Sequence, residues 1–152
     1  MADIEIPVER LSEVATSFTY AYPTDAGADL RASADVVILP GSWAMIPTGI
    51  KIAIPEGYVG LVHPRSGLAA KFGVTVLNAP GTIDSGYRGE VQVILINHGK
   101  QPYEILVGDR IAQLVIQEFK TAKFMSVTTQ QFNSLESDRG EGGFGSTGVR
   151  NV

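Results

Sequence analysis

Ile50-Lys51-Ile52-Ala53-Ile54 places isoleucine at every second position. That is the period of a strand with one face against a core and the other toward water. Outward from it, the same kind of segment recurs at residues 35–39, 57–63, 90–97, 110–119 and 124–129, each short and together rich in Val and Ile. Such residues fit a pleated, half-buried surface. Turn residues bound most of these runs, as at Pro40-Gly41, Pro55-Glu56-Gly57 and His98-Gly99. The spacing predicts an all-β domain: a β-sandwich, a barrel or a jelly roll. Only residues 66–71, Ser-Gly-Leu-Ala-Ala-Lys, read as a helix, one or two turns long and capped by Ser66. Trp43 takes the default of a buried strand position.

A chain of 152 residues is long enough for one domain and short for two. The composition changes after Phe132, where apolar residues give way to Gly140, Gly142, Gly143, Gly145 and Gly148. Residues 1–132 are therefore read as the β domain and 133–152 as a flexible tail, mobile until something binds. The absence of cysteine excludes disulfides, Cys-rich zinc sites and a thiol nucleophile. Residues 1–10 have neither the basic nor the apolar region of a secretory signal, and no run approaches the roughly 18 apolar residues of a membrane span. The expected location is the cytoplasm. With 16 acidic against 12 basic residues and no basic run, no nucleic-acid partner is expected. A phosphate ligand would have to be met by a few local arginines.

Five stretches could carry chemistry, and each has an ordinary alternative. Pro64-Arg65-Ser66-Gly67 sets a guanidinium and a hydroxyl before the one helix start, suiting an anion; the alternative is a Pro turn and a helix cap. In the turn-rich run 78–89, Asp84 is available as a general base and the backbone could meet a planar ligand. Otherwise it is a hairpin with Asp84 satisfying its own turn and Tyr87 packed on the core. Asp25 and Asp29 flank Gly27, and Asp29 could hold magnesium through water, or serve as a turn aspartate. In the run 108–114, Asp109 and Arg110 fit a turn into a strand, while Gln113 offers a neutral hydrogen-bonding group. In the run 139–148, glycine amides, Ser146, Thr147 and Arg139 could close around phosphate and Phe144 could cover a base; a disordered end has the same composition. Together they make one set: arginines and glycines for a triphosphate, an aromatic for a base, carboxylates for metal and water.

The chain resembles the trimeric dUTPase family, whose five motifs are similar to AGADL (26–30), PRSGLA (64–69), NAPGTIDSGYRGEV (78–91), GDRIAQL (108–114) and RGEGGFGSTG (139–148), in the family's order. The resemblance implies a jelly-roll homotrimer whose sites are shared between subunits, with dUTP as substrate and Mg2+ as cofactor. The products would be dUMP and pyrophosphate, which keeps uracil out of DNA and supplies dUMP for thymidylate synthesis. It implies that Asp29 holds the water shell of the metal, that Arg65, Ser66, Gly67 and Gln113 bind phosphates, and that Asp84 activates the attacking water. Asn78 and the backbone of Thr82 and Ile83 would read uracil, and Tyr87 would lie beneath the deoxyribose. Arg139, Ser146 and Thr147 would clamp the phosphates and Phe144 would cover the uracil, with Gly145 in the same closing motif. Gln92 is a further contact candidate.

Two rivals share the fold. The related dCTP deaminases place a catalytic glutamate ten residues after the position of Asp84, where this chain has Ile94. A non-catalytic trimer that binds dUTP would need neither Asp84 nor the tail.

Overall fold

The structure, a computed structural model, describes residues 4–144, 146 and 148. It divides into two compact units, one ending at Lys120 and the other beginning at Thr121.

Within the first unit, β1 (Val8–Arg10), β4 (Trp43–Ile52), β8 (Glu90–Asn97) and β6 (Val74–Val76) form one sheet in the order β1-β4-β8-β6. A second sheet runs β2-β10-β5-β7, from β2 (Gly27–Arg31), β10 (Arg110–Glu118), β5 (Tyr58–His63) and β7 (Gly81–Ile83). The third is the pair β3 (Val36–Ile38) and β9 (Tyr103–Ile105). Every pairing is antiparallel. One core draws on both large sheets, with Ile46, Ile50, Val91, Val93 and Leu95 from the first and Leu30, Val62, Ile111 and Leu114 from the second. Burying such a side chain contributes roughly 1.5–3 kcal/mol, so the alternation that brings them inward holds the sandwich together.

The isoleucine run begins in the last three residues of β4 and continues past its end, with Ile50, Ile52 and Ile54 inside and Lys51 pointing outward to Glu9. Residues 90–97 form β8, and the runs at 35–39, 57–63 and 110–119 become β3, β5 and β10 with slightly trimmed ends. Among the described residues, 124–129 pair with no strand; Thr128 instead accepts the Gln131 amide (3.2 Å) while Gln131 accepts the Thr128 amide (2.9 Å). That reciprocal capping box opens α2 (Thr129–Asn133), in the second unit. Trp43 does lie in a strand, but it is 61% exposed, because the alternation that buries Ile46 turns Trp43 outward.

The helix expected at 66–71 is α1 (Ser66–Phe72), closed by Gly73 at φ 68°. Ser66 is not its cap: Arg65 holds the N-cap position and makes no side-chain capping bond. A guanidinium has no acceptor to offer the first-turn amides, so Arg65 is left for another partner.

Candidate functional site

Strand register assembles the first cleft. β10 lies between β2 and β5, so Gln113 is paired with Asp29 on one side and His63 on the other. Three segments distant in sequence meet in one row, and Arg65, two residues beyond β5, reaches it. Arg65 Nε lies 3.5 Å from Asp29 Oδ1, and Arg110 Nη1 lies 3.5 Å from Oδ2. Arg65 also donates from Nη1 to the Arg110 carbonyl at 3.1 Å. The Asp29 side chain is only 13% exposed, against 29% for Arg65 and 45% for Arg110. The carboxylate is thus the recessed member and the guanidiniums the accessible ones. Two of them around one carboxylate leave net positive charge and spare N–H donors for an anion.

Asp29 is a strand residue whose amide bonds Thr19, and the turn role falls to Asp25, whose Oδ2 takes the Tyr22 amide at 2.9 Å. Asp109 likewise holds a turn, accepting the Leu106 amide at 2.9 Å. Arg110 does more than the sequence suggests. A bulge between Arg110 and Ala112 inserts one residue opposite β2, which brings Arg110 into the same cleft as Gln113. Plain alternation would have put the two on opposite faces. Arg110 is therefore hidden from a reading by period, and only a bulge signal could reveal it.

Asp29, Arg65, Ser66, Gly67, Arg110 and Gln113 line a cleft of about 590 Å³. Gln113 Nε2 donates to the Pro64 carbonyl at 3.0 Å, which orients the amide. Its position also depends on Gly27, where a methyl group would lie 3.1 Å from Gln113 Cβ and closer still to Oε1. The Gln113 end can swing away, so Gly27→Ala should fold but displace the amide. If Gln113 binds phosphate, KM for a nucleotide substrate should rise about tenfold with kcat little changed, the pattern of lost ground-state binding. Steady-state kinetics checks this.

A second, smaller cleft of about 200 Å³ is lined by Thr82, Ile83, Asp84, Tyr87, Gln92 and Ile94, among others. The Asp84 carboxylate makes no hydrogen bond to the described residues, and Tyr87 is 46% exposed rather than packed on the core. Ile83 turns its side chain into the core, and its backbone pairs with Gly60 of β5. Asn78 stands beside Gly81, its Nδ2 3.3 Å from where a Cβ there would lie. The Ala79–Pro80 peptide is cis.

The two clefts are at opposite ends of β5. Gly60 pairs with Ile83, which sets Asp84 beside Val59, whereas Arg65 lies beyond His63. The five residue steps from Val59 to Pro64, just past the end of β5, span roughly 16 Å.

In the second unit, Arg139 Nε donates to the Gly142 carbonyl at 2.6 Å and the Ser146 amide to the Gly143 carbonyl at 3.0 Å. Phe144 is fully exposed and adopts φ 47°, a left-handed conformation uncommon outside glycine. Gly145 and Thr147 lie outside the described residues.

Two guanidiniums around a recessed carboxylate offer donors to an anion, and Asp84 stands near Tyr87 with no hydrogen bond on its carboxylate among the described residues. Residues 13–148 match the family model described as dUTPase, and the chain belongs to that family. It is 51% identical over 146 residues to the deoxyuridine 5'-triphosphate nucleotidohydrolase of Thermobifida fusca (strain YX), covering 95% of this chain and 79% of that one. Among solved structures, it superposes on the Staphylococcus bacteriophage 80alpha dUTPase with dUPNHPP at TM-score 0.87 and 32% identity, covering 95% of this chain and 99% of the other. It also superposes on a mutant dUTPase from phage phi11 of S. aureus, described with a structural Mg(II) ion, at TM-score 0.76 and 32% identity, covering 82% and 97%.

Proposed function

We infer that this enzyme hydrolyses dUTP to dUMP and pyrophosphate by water attack on the α-phosphorus, and that each site is completed between subunits of a homotrimer. Family membership across residues 13–148 carries the hydrolysis. The composite site is supported by the separation of the arginine cleft from Asp84 along β5. A triphosphate bound at Arg65 in one chain could meet the Asp84 of another. We place the enzyme in the cytoplasm, with the nucleotide pool it acts on.

In this reading Arg65, Ser66, Gly67 and Gln113 take the phosphates, joined by Arg110. Asp84 accepts the proton of the attacking water, and its carboxylate, which makes no hydrogen bond among the described residues, suits that task. Asn78 and the Thr82 and Ile83 backbone read uracil, Gln92 borders the base, and Tyr87 lies under the sugar. Arg139, Phe144, Gly145, Ser146 and Thr147 close over the nucleotide and exclude bulk water. The phosphoryl transition state asks for little covalent help, so positioning and charge neutralisation do most of the catalysis.

Magnesium fits the donor set. No three His, Asp or Glu side chains converge among the described residues, so a protein cage is not on offer. One recessed carboxylate, Asp29, together with substrate phosphates suits an ion that keeps several of its waters. Asp29 would hold that water shell. Bound there, the ion would neutralise charge on the phosphate chain.

Ile94 lines the same small cleft as Asp84, an apolar side chain where a deaminase needs a glutamate. The test is incubation with each dNTP and magnesium, following pyrophosphate and ammonia. Pyrophosphate from dUTP is expected, with dCTP rejected because buried groups set for uracil's N3–H and O4 are left unpaired by cytosine. Ammonia from dCTP, or comparable kcat/KM for dUTP and dCTP, would overturn the assignment.

A further inference from the structure

Glu90 does two jobs at one point of the fold. Between Pro47 and Lys51, β4 advances four residues while β8 advances only two, from Gln92 to Glu90. The extra residues form a bulge at Thr48-Gly49-Ile50. Thr48 donates its hydroxyl to the Val91 carbonyl at 2.6 Å, and Gly49 takes φ 70°, where a methyl would lie 2.7 Å from Ala15 Cβ. A bulge leaves an amide without its ladder partner. Here Glu90 Oε1 accepts the Gly49 N–H at 2.7 Å. The backbone of the same residue then accepts the Tyr87 hydroxyl, at 2.9 Å from the Glu90 carbonyl. Gly89, between them, makes room: a Cβ there would lie 2.6 Å from Tyr87 Cζ.

We propose that Glu90 is a positioning residue for sugar specificity: its carboxylate pins the start of β8 to the β4 bulge, and its carbonyl tethers the Tyr87 ring at a fixed height under the sugar. This rests on the dUTPase reading, in which the Tyr87 ring leaves no space for a 2′-hydroxyl. A ring that can drop by a fraction of an ångström admits that hydroxyl. Shape alone rejects an added hydroxyl by only about 10²-fold, so loosening the tether should cost roughly tenfold in discrimination.

The measurement is the ratio of kcat/KM for dUTP over UTP, with circular dichroism to confirm folding. Glu90→Ala and Tyr87→Phe should each lower the ratio about tenfold, chiefly through faster turnover of UTP. Glu90→Gln, whose amide oxygen still accepts from Gly49, should stay within about twofold of wild type. A folded Glu90→Ala protein with the wild-type ratio, or Glu90→Gln losing as much as Glu90→Ala, overturns the proposal. Should Glu90→Ala not fold, Tyr87→Phe decides alone, since it removes the tether without touching the sheet, and an unchanged ratio there is refutation. Failure of the underlying reading looks different: the wild type would release no pyrophosphate from dUTP.

Discussion

Asp84→Asn is expected to lower kcat by about 10²–10⁴-fold while nucleotide binding survives, the usual contribution of a general base. The substitution keeps the shape of the side chain, and the Asp84 carboxylate holds no bond among the described residues whose loss could disturb the hairpin. The Tyr87 amide bonds the Asp84 backbone carbonyl, which asparagine preserves. Stopped-flow or steady-state release of pyrophosphate measures the rate, and calorimetry with a non-hydrolysable dUTP analogue measures binding. A variant near wild-type rate would assign water activation to another group.

The second large effect tests where the pieces of a site come from. Asp84→Asn with an intact tail, and a deletion of residues 139–152 with Asp84 intact, should each be nearly inactive alone. Co-expressed so that subunits mix at random, they should recover about a quarter of wild-type activity if Asp84 and the tail reach a site from different chains. The chance is one half for each intact contribution, with sites acting independently. Were one chain to supply both, every site would keep a defect and activity would stay at background. Native mass measurement must show hybrid trimers in the same sample, since it alone counts the chains. Background activity in proven hybrids would refute the composite site and leave the hydrolase assignment on its family match.

Much of the β architecture is legible because long half-buried strands print their period in the chain. Ile50 and Ile52, and Val91, Val93 and Leu95, alternate with outward residues and lie in the core. β1, β2, β6, β7 and β9 do not stand out, being three to five residues long, too short for a period of two to rise above chance. Residues 124–129 show the opposite failure, since their apolar content reads as a strand and hides the Thr128–Gln131 capping box.

The chain by itself determined which residue types are at hand: Asp29, Arg65, Asp84, Tyr87, Gln113 and the glycine-rich run, in an order specific enough to name a family. Local chemistry suffices for that, because a motif is a matter of neighbours along the backbone. Tertiary structure alone decided what meets what. Antiparallel register sets Asp29, Gln113 and His63 in one row, a bulge turns Arg110 onto Asp29, and β5 holds Asp84 at its far end from Arg65. Those juxtapositions come from hydrogen-bond ladders between strands tens of residues apart, and no periodicity within a single strand encodes its partner's register.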